Sequence, residues 1–246
     1  MIAQQLGLLR SFWLYHARPW EKRAMVRFYR PFIQPGDLCF DIGAHVGSRL
    51  GVWRHLGASI VAVEPQPACL TWLQRVYGKS EAITIVPRAV AQSPGELTLH
   101  ISRRHPTVTS LSPHWIAAVK KDPSFAHVRW DQQVTVLATT LDQLIDTHGE
   151  PAFCKIDVEG FEAEVLQGLS RPLALLSFEY IPAALEQAMA CLERLETLGS
   201  YRYNWSVGES HRLASPSWLP RDALVPALTA AAQSGKSGDV YARRVD

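Results

Sequence analysis

Several absences narrow what this chain can be. It has no apolar run of about 20 residues, so no segment reads as a single membrane-spanning helix. Its 25 lysines and arginines stand against 23 aspartates and glutamates, a net charge of +2, and the basic residues are scattered. No nucleic-acid footprint stands out. Cysteine is scarce: Cys39, Cys69, Cys154 and Cys191 lie far apart, form no Cys-x-x-Cys pair and sit in apolar surroundings. That argues against a zinc site or a disulfide scaffold and for reduced thiols in a cytoplasmic protein. Internal repeats and low-complexity tracts are missing as well. The opening Met1 to Tyr15 is interrupted by Gln4, Gln5 and Arg10 and ends in no small-residue cleavage site, so it does not read as a signal peptide.

A further absence is more specific. The dinucleotide turn Gly-x-Gly-x-x-Gly, whose second glycine lets a pyrophosphate approach a helix N-terminus, does not occur in its expected place. What stands there instead is Leu38 to Ile42 as a buried strand, a turn from Gly43 to Gly47, a helix, and a second buried strand, Ile60 to Val63, ending in Glu64. A strand, glycine turn, helix and acid-tipped strand make a nucleoside-binding unit, in which the acid accepts hydrogen bonds from both ribose hydroxyls. In the turn Asp41-Ile-Gly43-Ala44-His45-Val-Gly47 an acid precedes the first glycine. A carboxylate there repels a pyrophosphate and suits the ammonium of a methionine-type ligand. The pattern therefore favours S-adenosylmethionine over NAD.

At 246 residues with 47% hydrophobic, the chain has material for one sizeable core. Residues 1–35 read as a helical cap and 36–246 as one domain. In the cap, Trp13, Tyr15, Trp20 and Phe28 interleave with Arg10, Arg18, Lys22, Arg23, Arg27 and Arg30, a pattern that packs on the domain or meets a membrane surface or a second copy. After Pro35-Gly36-Asp37, helices are expected over Ser48 to Leu56 and Gln66 to Tyr77, closed by Gly57 and Gly78, and strands over Ile83 to Val86 and Leu97 to Ile101. Ser102 to Gln132 reads as a long polar loop, a candidate lid. Strands follow at Val134 to Leu137, Ala152 to Ile156 and Leu173 to Phe178, with a threonine-capped helix before Gly149 and a helix over Pro182 to Leu198. Tyr201 to Val207 and Asp239 to Val245 are expected to pair as an antiparallel hairpin around a helix from Asp222 to Gln233. Strands alternating with helices imply a mostly parallel, doubly wound sheet.

These residues resemble the FkbM family of S-adenosylmethionine-dependent methyltransferases over roughly Asp37 to Glu179. The most specific piece is Lys155-Ile-Asp157-Val-Glu159-Gly160-Phe-Glu162-Ala-Glu164-Val-Leu-Gln-Gly168. Asp41-Ile-Gly43-Ala44, Val63-Glu64-Pro65, Thr140-Leu141-Asp142 and Phe178-Glu179 fall in the family's order. The resemblance implies a class I methyltransferase (Rossmann-like) fold with a seven-stranded sheet, and mainly O-methylation of sugars or natural products. It departs from the family at His45, where a small or polar residue is usual, and at Pro87 to Ser93, where an acid or amide often reads adenine. Backbone groups near Ala89 and Val90 are assigned that contact instead. The cofactor set is thus Asp41, Gly43, Ala44, His45, Gly47, Glu64, Pro65, Ala89, Val90 and Asp157.

Methyl transfer to a hydroxyl needs alignment and removal of a proton. The carboxyl ends of the strands offer Asp157, Glu159 and Glu179 as catalytic acids. Two accounts compete: a carboxylate base raised by burial and like charge, or a hard-cation site; the metal-free account is preferred because too few oxygen ligands can be placed. Glu159 is also explained by the first turn of a helix, where an acid complements the macrodipole. The expected partner is a small-molecule, natural-product or glycan acceptor. The competing function is a non-catalytic S-adenosylmethionine-binding or scaffold module.

Overall fold

The computed structural model describes residues 19–245, so Met1 to Arg18 of the expected cap lie outside the described residues. The central sheet is built from β1 (Leu38–Ile42), β2 (Ser59–Val63), β3 (Ile83–Val86), β7 (Phe153–Ile156), β8 (Leu175–Tyr180), β9 (Tyr201–Trp205) and β10 (Gly238–Arg244). Their order is β3-β2-β1-β7-β8-β10-β9. All neighbours are parallel except β10, which runs antiparallel to both β8 and β9. A doubly wound sheet closed by an antiparallel hairpin is the class I methyltransferase arrangement, as expected. Among the described residues no helix is long and apolar enough to cross a membrane.

Both faces of the sheet are covered, which is why its strands read as continuous apolar runs rather than alternating ones. Along β1 and β2 the side chains divide by the pleat. Cys39, Ile60 and Ala62 pack on one side with α1 (Pro19–Tyr29), α2 (Leu50–His55) and α3 (Pro67–Tyr77). Phe40, Ile42, Val61 and Val63 face α5 (Leu141–His148), α6 (Glu162–Gln167), α7 (Leu185–Leu198) and α8 (Arg221–Gln233). Helix α1 is fixed by aromatic contacts: Phe28 meets Tyr241 edge-on at 5.4 Å, and Tyr29 meets Trp53 at 5.5 Å. The Thr140 hydroxyl caps α5 by accepting from the Gln143 amide at 3.1 Å.

The Ser102 to Gln132 segment is not the irregular lid its polarity suggests. With β4 (Ala89–Val90), β5 (Gly95–Ile101) and β6 (Gln132–Thr139) it forms a packed lobe, β4 and β5 flanking β6 in a second sheet. Helix α4 (Pro113–Val119) buries Trp115, Ile116 and Val119. The prolines misled because Pro106, Pro113 and Pro123 start short helices rather than break them, and Ser112 caps α4 by accepting from Trp115 N at 3.1 Å. Two smaller differences follow from backbone geometry. Gly78 ends α3 with an ordinary right-handed φ of −62°, and β8 continues through Tyr180, so Glu179 lies within the strand and not beyond it.

One polar cluster pierces the face beneath α1 and α2. Lys155 on β7 is wholly buried, its Nζ 2.6 Å from Asp239 Oδ1 on β10 and 3.3 Å from Asp157 Oδ2. Arg49 approaches Asp157 Oδ2 at 3.6 Å. Burial alone would drain charge from these groups; instead Asp157 and Asp239 hold the Lys155 ammonium above its ordinary range, and Lys155 and then Arg49 hold Asp157 below the ordinary carboxylate range. A depressed carboxyl contributes stability that is present above its unfolded-state pKa of about 3.9 and is lost as pH falls through the folded value. Removing the ammonium leaves two buried carboxylates uncompensated. Lys155→Met is therefore expected to lose about 3–5 kcal/mol at pH 7.5. Urea unfolding checks this, and the deficit should shrink at pH 5, where a proton can replace the lost cation.

Candidate active site

The sheet register places the site. Ile42 pairs with Val63 and with Ile156, and Ile156 pairs with Phe178. The next residues therefore lie in one row across the sheet: Glu64 after β2, Gly43 after β1, Asp157 after β7, and Glu179 near the end of β8. Chain direction reverses its spread between β1 and β7, and an open crevice at such a switch point is where ligands bind in doubly wound sheets. A cleft opens there. It is lined by Gly43, Ala44, His45, Glu64, Pro65, Ala89, Val90, Asp157 and Glu159 among the residues anticipated from sequence. Asp41, Gly47 and Glu179 do not line it.

For Asp41 and Gly47 the reason is physical. Asp41 is 1% exposed, turned into the sheet face that carries Lys155, with which it is in register. Burial pushes it up to about 6, and its Oδ1 has no hydrogen-bond partner. Gly47 has a φ of +76°, and a side chain there would press on Tyr77 and Leu50, so this glycine serves helix packing. Gly43 is different. At φ +85° its missing Cβ makes room for the Asp157 carbonyl, bringing the two strand ends together at the cleft floor.

Glu64 is tied down on both oxygens. Oε2 accepts from His45 N at 2.8 Å and Oε1 from Gln66 N at 2.7 Å. Burial pushes the carboxyl up to about 7 against these two donors. Each oxygen retains lone pairs for further donors. The amide hydrogen bond from His45 thus fixes the acid, while burial pushes the His45 ring down to about 4 and leaves it neutral with Nε2 unpartnered.

At the other end three acids converge, Asp157 and Glu159 in the cleft lining and Glu179 outside it. Asp157, Glu159 and Glu179 each offer an oxygen within 4.8 Å of the others. Burial, then Asp157 and Glu162, push Glu159 well above the carboxylate range; burial, then Glu159 and Asp157, do the same to Glu179. Asp157 goes the other way because Lys155 and Arg49 neutralise it, which corrects the expectation that burial and like charge would raise it. The turn holding Glu159 is unusual: its φ is +55°, and Gly160 follows at +86° with Trp115 of α4 against the space a Cβ would fill. Ser110 Oγ donates to the Glu159 carbonyl at 2.6 Å, and Glu162 accepts from Val158 N at 2.9 Å. The lobe thus clamps the acid-bearing turn, and its Pro106, Thr107, Thr109 and Leu111 wall the cleft.

Sequence reading missed Arg49, Gln66, Ser110 and Thr109. A lysine inside the apolar strand Phe153-Cys-Lys155-Ile was the available sign of buried countercharge, and Ser48-Arg49 directly after the glycine turn was the sign of a cation in the cleft. His105, His114 and His127 of the 102–132 segment, and His211 after β9, do not line the cleft: His105 and His127 pair with ring centroids 4.8 Å apart, while His114 and His211 lie 3.9 and 3.8 Å from Glu186 and Glu209.

Residues 41–203 match the model of the methyltransferase FkbM domain. Comparison with curated proteins gave no match. Among solved structures, the chain is similar to precorrin-6y C5,15-methyltransferase from Geobacter metallireducens, with 13% identity, 91% of this chain and 88% of that one covered, and a TM-score of 0.48. A TehB-like SAM-dependent methyltransferase from Corynebacterium glutamicum shares 11% identity over 90% of this chain and 88% of that one, with a TM-score of 0.45. Fibrillarin from Aeropyrum pernix, in complex with natively bound S-adenosyl-L-methionine, shares 10% over 86% and 68%, with a TM-score of 0.42. These likenesses are loose, and the assignment rests on the family match, which spans about two thirds of the chain: the protein belongs to the FkbM family of S-adenosylmethionine-dependent methyltransferases.

Proposed function

We propose that this methyltransferase acts on a hydroxyl of a small molecule, natural product or sugar, with Glu159 as the proton acceptor. The observation that carries the proposal is the meeting of Asp157 and Glu159 of the cleft with Glu179 beside them, all within 4.8 Å, two of them pushed up and one held down. Unequal carboxyls divide the work: a raised one is a base of useful strength, a depressed one is a fixed negative charge.

The cleft's own residues fit the cofactor. His45 Nε2, Gln66 Nε2 and Thr109 Oγ1 all belong to residues lining it and lack partners. In this reading Glu64 accepts from the ribose hydroxyls, Pro65, Ala89 and Val90 flank the adenine, and Asp157 faces the ammonium. S-adenosylmethionine when bound supplies an electrophilic methyl on a sulfonium, so the protein need only align and deprotonate the acceptor. Glu159, backed by Glu179, takes the hydroxyl proton. Glu179 shares that proton, because like charges so close do not both ionise readily. Pro106, Thr107 and Leu111 shape the acceptor side and exclude water. The four cysteines are free and buried, which suits the cytoplasmic location proposed for the chain.

Two outcomes test this. Glu64→Gln exchanges one acceptor oxygen for an amide facing a backbone N–H, and calorimetry should show S-adenosylhomocysteine binding weakened about tenfold or more. Glu159→Gln should lower turnover on a hydroxyl acceptor by roughly a hundredfold or more while cofactor affinity stays within about twofold. Because the base is raised and must be ionised to act, wild-type turnover should climb as pH rises above the ordinary carboxylate range, and EDTA should leave it unchanged. Unaltered turnover in Glu159→Gln would move the proton acceptor elsewhere.

A further inference from the structure

We infer that Arg49 is the carboxylate anchor of the cleft, reading the amino-acid end of the cofactor by its negative charge. The inference rests on the cofactor reading of this cleft and concerns a residue to which that reading gives no role. Arg49 directly follows Ser48 after the glycine turn and lines the cleft with Ser48, His45 and Asp157. Its side chain is 14% exposed.

Charge makes the argument. The acids of the cleft lining, Glu64, Asp157, Glu159 and Glu209, offer a carboxylate no countercharge, and the ionised Asp157 would repel it. The other arginine of the lining, Arg88, is exposed and follows β3, which is separated from β7 and Asp157 by β2 and β1. The amino-acid end of the cofactor is a zwitterion. Its ammonium has acids to meet, and its carboxylate needs a cation.

Arg49 has donors to spare. A guanidinium carries five N–H groups in a planar fork that matches a carboxylate on two bonds. Nε donates to the Tyr29 hydroxyl at 3.3 Å, one terminal nitrogen reaches Ser48 Oγ at 3.4 Å, and the other is 3.6 Å from Asp157. All three are longer than the roughly 2.7–2.9 Å of a charge-assisted bond. Tyr29 and Asp157 orient the fork from α1 and from the tip of β7 without saturating it. Asp157 and Arg49 thus stand as neighbouring opposite charges, ready for the two ends of one zwitterion.

The test is calorimetric and needs no turnover. Wild type is titrated with S-adenosylhomocysteine and with its decarboxylated analogue, which keeps adenine, ribose, sulfur and amine. The expected result is about tenfold or greater preference for the carboxylate-bearing ligand. Arg49→Met should erase that preference by weakening S-adenosylhomocysteine alone, with the analogue within twofold of wild type, and Arg49→Lys should keep part of it. Equal binding of both ligands by wild type overturns the assignment whether or not the variants fold. So does an Arg49→Met protein that weakens both ligands by the same factor, since that is the mark of a residue that only holds Asp157 and Tyr29. A wild type that binds neither ligand overturns the cofactor reading itself, and this inference with it.

Discussion

The site depends on one buried ammonium. Lys155 has no exposed surface, and a charge in that position persists only if countercharges meet it. Asp157 and Asp239 do so from the ends of β7 and β10, with Arg49 completing a cluster of two cations and two anions. The consequence reaches past stability. Asp157 is held ionised at the tip of β7, whereas Glu159 and Glu179 a few ångströms away receive little of that compensation and are pushed up together. Lys155, with Arg49, thereby sets one of three neighbouring carboxyls below the ordinary range while the other two are pushed above it.

The second constraint is register. Because Ile42, Val63, Ile156 and Phe178 are aligned, the polar residues that follow them are gathered at one level without any long-range search, three at strand ends and Glu179 within β8. The packed lobe then fixes what register alone leaves loose. Ser110 holds the carbonyl of Glu159, and Trp115 fills the space beside Gly160, so a left-handed backbone at Glu159 is maintained from outside the sheet.

Much of this was legible in the sequence, for reasons that can be named. Apolar strands of four to six residues ending in Gly43, Glu64 and Asp157 announced a parallel sheet and its ligand end, and Thr140 and Gly149 bounded α5 because a hydroxyl cap and a glycine stop are local chemistry. Nonlocal pairings were not readable. Nothing adjacent to Lys155 says that it will meet Asp239, 84 residues away. Asp41 looked like a ligand-facing acid because it precedes a glycine, but the pleat turns it toward Lys155. The 102–132 segment hid α4 because polar residues and prolines dominate its composition, while its buried side is carried by Trp115, Ile116 and Val119.

The central claim is that cofactor and proton chemistry meet in this one cleft, with Glu64 at the ribose end and the three acids at the other. A crystal structure with S-adenosylhomocysteine tests it most directly. The account predicts density for the ligand along Gly43 to His45, with both ribose hydroxyls within hydrogen-bond distance of the Glu64 carboxylate and the sulfur directed toward Asp157 and Glu159. A ligand whose ribose lies away from Glu64, or whose sulfur points away from the acids, would contradict it.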